Sequence, residues 1–186
     1  MAQQAGLMRR LDATGVPQLL ARLAVGGMFL YLSIMKLLDP INFLKLTREY
    51  NVVPTQPPIL LNLIAVAMPC LELVCALALL LGVARRGAAL LVVGMLLFFT
   101  PLLAVRATNM YQHPKPDVTY QSFCDVKFDC GCGTGEVFIC SKLAENIALI
   151  LGATLVLFSR SARFSVDGVL ARPVDVSRAP PVPERA

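Results

Sequence analysis

Four of the six cysteines crowd into one stretch, FCDVKFDCGCGTGEVFICSK: Cys124, Cys130, Cys132 and Cys140. The thiolate is both a nucleophile and a metal ligand, so such a cluster can do three things. It can form two disulfides that staple a loop lacking its own core. One pair can exchange with the thiols of a partner. Four thiolates can also hold a metal, but structural zinc sites show paired C-x-x-C knuckles, and none occurs here. The C-x-x-C of thioredoxin-type sites is missing as well. Gly131, Gly133 and Gly135 permit the tight turns that bring sulfurs together. Four cysteines allow three pairings. A ring closed across Gly131 alone would be strained and easily reduced. For the resting protein the expected pairing is instead between the C-G-C turn and the flanking Cys124 and Cys140. Closing such loops would stabilise by about 2–3 kcal/mol.

Cys70 and Cys75 stand apart, in an apolar stretch. Five residues turn a helix by about 140°, so the two point to different faces and stay free thiols. Between them lies Glu72, an acid surrounded by apolar residues. Ionisable groups at such depth are costly and face other helices or a cavity. Pro69 and Cys75, three residues away on either side, share its face, and Pro69 can kink the helix. A protonated Glu72 can tie helices together, in which case Glu72→Gln is expected to be harmless; a titrating role is the sharper alternative. The single histidine, His113, sits in QHPKPD and reads as a solvated turn.

These groups need elements to hold them. Of the 186 residues 56% are hydrophobic and only 16% charged, too few charges to cover a soluble domain of this length. The apolar residues form blocks, and roughly 20 of them in a helix cross a hydrocarbon core. Four blocks qualify: 17–38, 58–81, 87–105 and 143–158, the last gaining length with Glu145 and Asn146 at the interface. Arg22, Lys36 and Arg106 lie near block ends, where long cationic side chains snorkel outward. The first block is read as an uncleaved span because no small-x-small cleavage site follows Leu32. The expected fold is all-α: an integral membrane four-helix bundle over 17–159 with a cysteine-rich extracytoplasmic loop at 106–142. Residues 1–16 form a cytoplasmic segment, and 160–186, Pro- and Arg-rich from Ala171 on, form a disordered tail. Small-residue faces for close helix approach are expected at Ala144, Ala148 and Gly152, with Gly26, Gly27 and Gly94 offering similar surfaces.

Arg9, Arg10, Arg22, Arg85, Arg86, Arg160 and Arg163 gather at one set of span ends. The positive-inside rule puts both termini and the second loop in the cytoplasm. The cysteine loop then lies outside the inner membrane, where disulfides persist. The net charge of +5 is accounted for by this cytoplasmic excess, so no nucleic-acid partner is expected. The expected partners are the lipid bilayer and another membrane or periplasmic protein. No Walker loop, dinucleotide fingerprint, H-E-x-x-H or Ser-His-Asp set can be assembled, and no cofactor is expected.

Several pieces together resemble a known family. The first span ends KLLDPINFLKLTREYNVVP, the second carries PCLELVCALALLLG followed by RR, and DCGCG leads into the last helix. This is similar to the DoxX-like superfamily in its branch of methylamine utilisation protein MauE, over roughly 20–158. The resemblance implies a four-span inner-membrane protein linked to maturation of a periplasmic, disulfide-rich enzyme subunit, that of methylamine dehydrogenase. It carries the family's C-G-C turn onto Cys130 and Cys132, its membrane acid onto Glu72 and its helix-opening Asn onto Asn146. The chain departs from the pattern at Gly133-Thr134, where the family has an aromatic, and in the extended loop holding Cys124 and Cys140. The leading reading is a factor for maturation or disulfide handling of an exported protein, with Cys130 and Cys132 as the exchanging redox pair and Cys124 and Cys140 as partners or staples. Its rivals are a non-catalytic accessory subunit with structural disulfides and a small transporter using Glu72.

Overall fold

A computed structural model describes residues 15–50, 58–114 and 120–159. The expected tail 160–186 and all but the last two residues of the expected segment 1–16, with Arg9, Arg10, Arg160 and Arg163, lie outside the described residues. Helix α1 spans Val16–Leu38, opened by Pro17 in its first turn. Its buried residues Gln18, Arg22, Val25, Gly26, Phe29, Leu32 and Ser33 follow the three-and-four spacing of a single helical face. Helix α2 (Pro40–Glu49) follows after one residue. Asp39 caps it, accepting the Asn42 N–H at 3.1 Å, and Pro40 supplies a preset first position. Helix α3 runs Pro58–Leu81 with Pro69 inside it, and α4 runs Arg85–Gln112 with Pro101 inside it. Gly82, at φ 73°, reverses the chain between them. Helix α5 is Ile139–Phe158.

The four long helices close a ring in which α1 packs on α3, α3 on α4, α4 on α5 and α5 on α1. Their shared core holds Val25, Phe29, Cys75, Leu79, Val92 and Val156. Large apolar side chains such as Leu20, Leu63, Leu90 and Leu151 point outward on every one of them. All four are long and apolar enough to cross a membrane, which makes the chain a multi-pass membrane protein with an apolar belt for lipid. At Gly26 α1 and α3 approach closely: a Cβ there would sit 2.9 Å from Leu80 Cγ and 3.2 Å from the Ala76 carbonyl oxygen.

Sequence and structure part at the ends of the last two spans. Helix α4 runs seven residues past Val105, and α5 starts four residues before Leu143. The stretch between them is therefore shorter than the expected 106–142 loop, and its described part forms a cap. It holds a 3-10 turn at Phe123–Asp125 and a hairpin of β1 (Lys127–Asp129) and β2 (Glu136–Phe138), with Phe128 opposite Val137. Val126, Phe128 and Cys130 pack with Leu103 and Ala107 of α4 and Ile139 of α5 in a second core cluster. The small-residue stripe of α5 does not face the bundle: Ala144 and Ala148 are exposed, and only Gly152 approaches Val25. The inward face is set by Lys142, Asn146, Leu149, Ala153 and Val156. Gly27 and Gly94 face open space.

The described arginines at the opposite end from the cap close helices. The buried Arg22 guanidinium donates to the Leu79 carbonyl at 2.8 Å and the Leu80 carbonyl at 3.1 Å, the orphan acceptors at the end of α3. Arg86 reaches the Ser159 carbonyl, beyond the end of α5, at 3.3 Å. Arg22 thus turns inward, where the sequence alone places it at the interface.

Candidate functional site

The cysteine cap is built from the hairpin upward. Its turn is C-G-C-G-T-G, and Gly131, Gly133 and Gly135 all take left-handed φ of 75° to 86°. Gly131 folds the chain back so that Cys130 and Cys132 sit with their Cα atoms 5.3 Å apart, and the two form a disulfide. The 3-10 turn brings Cys124 against the first turn of α5, where it is disulfide-bonded to Cys140 at a Cα separation of 5.1 Å. The expected pairing of the C-G-C turn with the flanking cysteines is thus corrected. The hairpin register keeps 130 and 132 together in the turn and sets 124 and 140 beside each other at its base. With all four sulfurs in disulfides, the four-thiolate reading does not describe this cap. Cys70 and Cys75 are free, the first exposed and the second buried, as their angular separation requires.

The turn is pinned from three sides. Asp129 accepts the Gly131 N–H at 2.9 Å, and the Cys132 N–H points at Cys130 Sγ at 3.2 Å. Tyr50, at the end of α2, donates its hydroxyl to the Cys130 carbonyl at 2.8 Å. Arg106 pairs with Glu49 and lies over the rings of Tyr50 and Phe128, at 4.8 and 5.2 Å from their centroids. Burial pushes the Tyr50 phenol up from 10.0 to about 12, against the pull of Arg106. The unfolded chain would ionise near 10, so stabilisation by the protonated phenol is complete below pH 10 and lost as the pH rises to 12. Subtracting the ultraviolet tyrosinate titration of Tyr50→Phe from that of the wild type should isolate this late step. At neutral pH the same variant should lose about 1 kcal/mol in thermal unfolding, and a step near 10 would count against the contact.

Beneath the turn a cleft of about 220 Å³ opens between α1, α2 and the hairpin, lined by Met35, Lys36, Asp39, Phe43, Leu46 and Asp129. Lys36 does not snorkel outward from it. Its ammonium turns into the bundle and meets both Glu72 carboxylate oxygens at 2.7 Å, the two side chains being 10% and 8% exposed. Glu72 thus joins two helices through a cationic partner, Lys36, that the sequence reading did not name. Pro69, Glu72 and Cys75 do share one buried face. Asn146 is not a helix-opening residue, since α5 begins seven residues earlier; it is buried and donates to Thr100 Oγ1 at 3.1 Å, joining α5 to α4. His113 follows α4 and is exposed. Sequence reading missed Tyr50 and Arg106 as supports of the turn. Their only signal is placement, Tyr50 ending a D-P-capped helix and Arg106 following the apolar run.

Fold and site together define a four-span membrane protein in which, among the described residues, a cap with a short hairpin presents a disulfide-bonded C-G-C turn above a buried ion pair. The chain belongs to the family of the methylamine utilisation protein MauE, whose sequence model matches residues 14–114. That stretch contains Arg22, Lys36, Tyr50, Glu72 and Arg106, with Cys70 and Cys75, but ends before the four cysteines of the cap. No curated protein and no solved structure matches the chain.

Proposed function

We propose that this MauE family member is an inner-membrane factor that introduces a disulfide into an exported protein, exchanging through Cys130 and Cys132 at the outer face. The observation that carries this reading is the division of labour between the two disulfides. Cys124–Cys140 ties the base of the cap to α5, whereas Cys130–Cys132 bridges no two elements and lies in the turn itself. A bond that joins nothing distant adds little as a staple. In the exchange, one thiolate of the exported protein attacks the disulfide and forms a mixed disulfide. Its second thiol, deprotonated, then displaces the C-G-C sulfur. The exported protein loses two electrons and two protons, and the C-G-C turn ends as a dithiol.

The methylamine setting comes with the family, and the periplasmic partner would be a subunit rich in disulfides. The K-x-x-D-P and E-x-x-x-x-x-x-L-L-L-G elements support the wider DoxX-like kinship. Both termini are cytoplasmic in this reading, so the cap meets its partner outside. The rival accessory-subunit reading is favoured by the stapled base of the cap and predicts no exchange at all.

The test uses the full chain in native membrane vesicles of known orientation with a reduced dithiol peptide. The peptide should be oxidised in proportion to the protein, with Cys130 and Cys132 becoming reactive to a membrane-impermeant maleimide from the outer side only. A peptide left reduced with the C-G-C disulfide intact would leave the accessory reading standing. Labelling from the cytoplasmic side would overturn the topology.

A further inference from the structure

The two sulfurs of the C-G-C turn are not equivalent. Cys130 is 7% exposed and belongs to the cluster formed by Leu103, Ala107, Val126, Phe128 and Ile139, whereas Cys132 is half-buried at its edge. Thiol–disulfide exchange depends on which sulfur can be reached and on how well the other leaves. Reach favours Cys132.

The leaving side is equally one-sided. The Cys132 N–H points at Cys130 Sγ at 3.2 Å, a contact that becomes charge-assisted once that sulfur carries negative charge. The Cys130 backbone is held by the Tyr50 hydroxyl, so the freed sulfur stays in register beneath the turn. Asp129 is the adjacent anion, and one of its oxygens is engaged by the Gly131 N–H. Of the other acids around the turn, Glu49 is paired with Arg106, Glu136 opposite Asp129 is paired with Lys127, and Asp39 lines the cleft below.

Building on the exchange reading above, we infer that the pair works in one direction. Cys132 is the sulfur that receives the partner's thiolate and forms the mixed disulfide, and Cys130 is the sulfur that leaves. The Cys132–Cys130 bond breaks as the partner–Cys132 bond forms, and its electron pair goes to Cys130. The partner's second thiolate then attacks its own sulfur in the mixed disulfide and releases Cys132. The two protons given up by the partner end on Cys130 and Cys132.

Reduced glutathione is a suitable probe because it attacks disulfides and leaves the free thiols of Cys70 and Cys75 untouched. Full-length wild-type protein in lipid nanodiscs is pulsed with glutathione and quenched with N-ethylmaleimide, which caps the released sulfur. Peptide mapping should then find glutathione on Cys132 and maleimide on Cys130, in about tenfold excess over the reverse pattern. The serine variants provide a second measurement: with an aromatic disulfide reagent, Cys132 in Cys130→Ser should react about tenfold faster than Cys130 in Cys132→Ser. Equal labelling, or glutathione mainly on Cys130, overturns the asymmetry and leaves the exchange function intact. No adduct on either sulfur, with the disulfide unreduced, overturns the exchange reading and this inference with it.

Discussion

Glu72→Gln should destabilise the protein strongly, by about 3–5 kcal/mol, with a lower unfolding temperature in detergent and reduced abundance in the membrane. The reason is the partner left behind. Glu72 lies fourteen residues into α3, about 21 Å along the helix from Pro58. Lys36 reaches it from α1 and contacts both oxygens at 2.7 Å, with both side chains nearly out of reach of water. The amide matches the carboxylate in shape but not in charge, and so strands an ammonium inside the bundle. Lys36→Met should cost a similar amount by stranding the carboxylate. Removing both together, as Lys36→Met with Glu72→Leu, should recover most of the loss, because a buried pair is often replaceable by apolar side chains of like volume. The cycle of the two singles and the double then reads the coupling directly. A Glu72→Gln protein as stable as the wild type would mean that the pair does not form, returning Glu72 to the role of a lone polar tie.

Lys36 also shows where sequence reading stops. Its nearness to a span end predicts an outward snorkel, and nothing in a linear pattern says that a residue thirty-six positions away will turn it inward. The spans themselves were legible, because block length and apolar content are summed over many residues. Their ends were not. RATNMYQ is too polar to register in hydropathy, yet it continues α4 to Gln112, and the polar first turn of α5 hides behind Cys140 to Lys142. Helix α2 was legible but passed over: Asp39-Pro40 is a capping signal, and the ten residues after it carry the helix. On α5 the small residues at every fourth position point to one face, but the buried face is the one that carries Lys142 and Asn146. Both are buried through specific partners, Glu145 at 2.5 Å and Thr100 at 3.1 Å. The cysteine connectivity could not be read either. It depends on a three-residue strand pairing that brings together residues from both sides of a glycine turn.

That glycine turn gives a second large effect, separable by position. Gly133→Ala should undock the cap, whereas Gly135→Ala, two residues on, should be mild. Both glycines take left-handed φ, 86° and 75°, so each substitution carries the backbone cost of about 1–2 kcal/mol for an L-residue there. Only Gly133 also lacks room. A Cβ on it would lie 2.7 Å from Met35 Cβ and 3.4 Å from the Leu32 carbonyl oxygen and the Lys36 nitrogen, while a Cβ on Gly135 meets nothing within 4 Å. The obstructing atoms belong to the last turns of α1, not to the end of a flexible side chain. The turn must therefore lift, adding about 1–3 kcal/mol of overpacking. Lifting it opens the cleft above Lys36 and draws Cys130 out of its cluster, so the disulfide should become easier to reduce and β1 easier to cleave. Met35→Ala keeps the offending Cβ and should not rescue Gly133→Ala; Met35→Gly removes it and should restore part of the protection. Limited proteolysis of the cap and the rate of C-G-C reduction in these variants together test the docking. Equal behaviour of Gly133→Ala and Gly135→Ala would show that the turn does not rest on α1, and would remove the support that holds Cys130 in place.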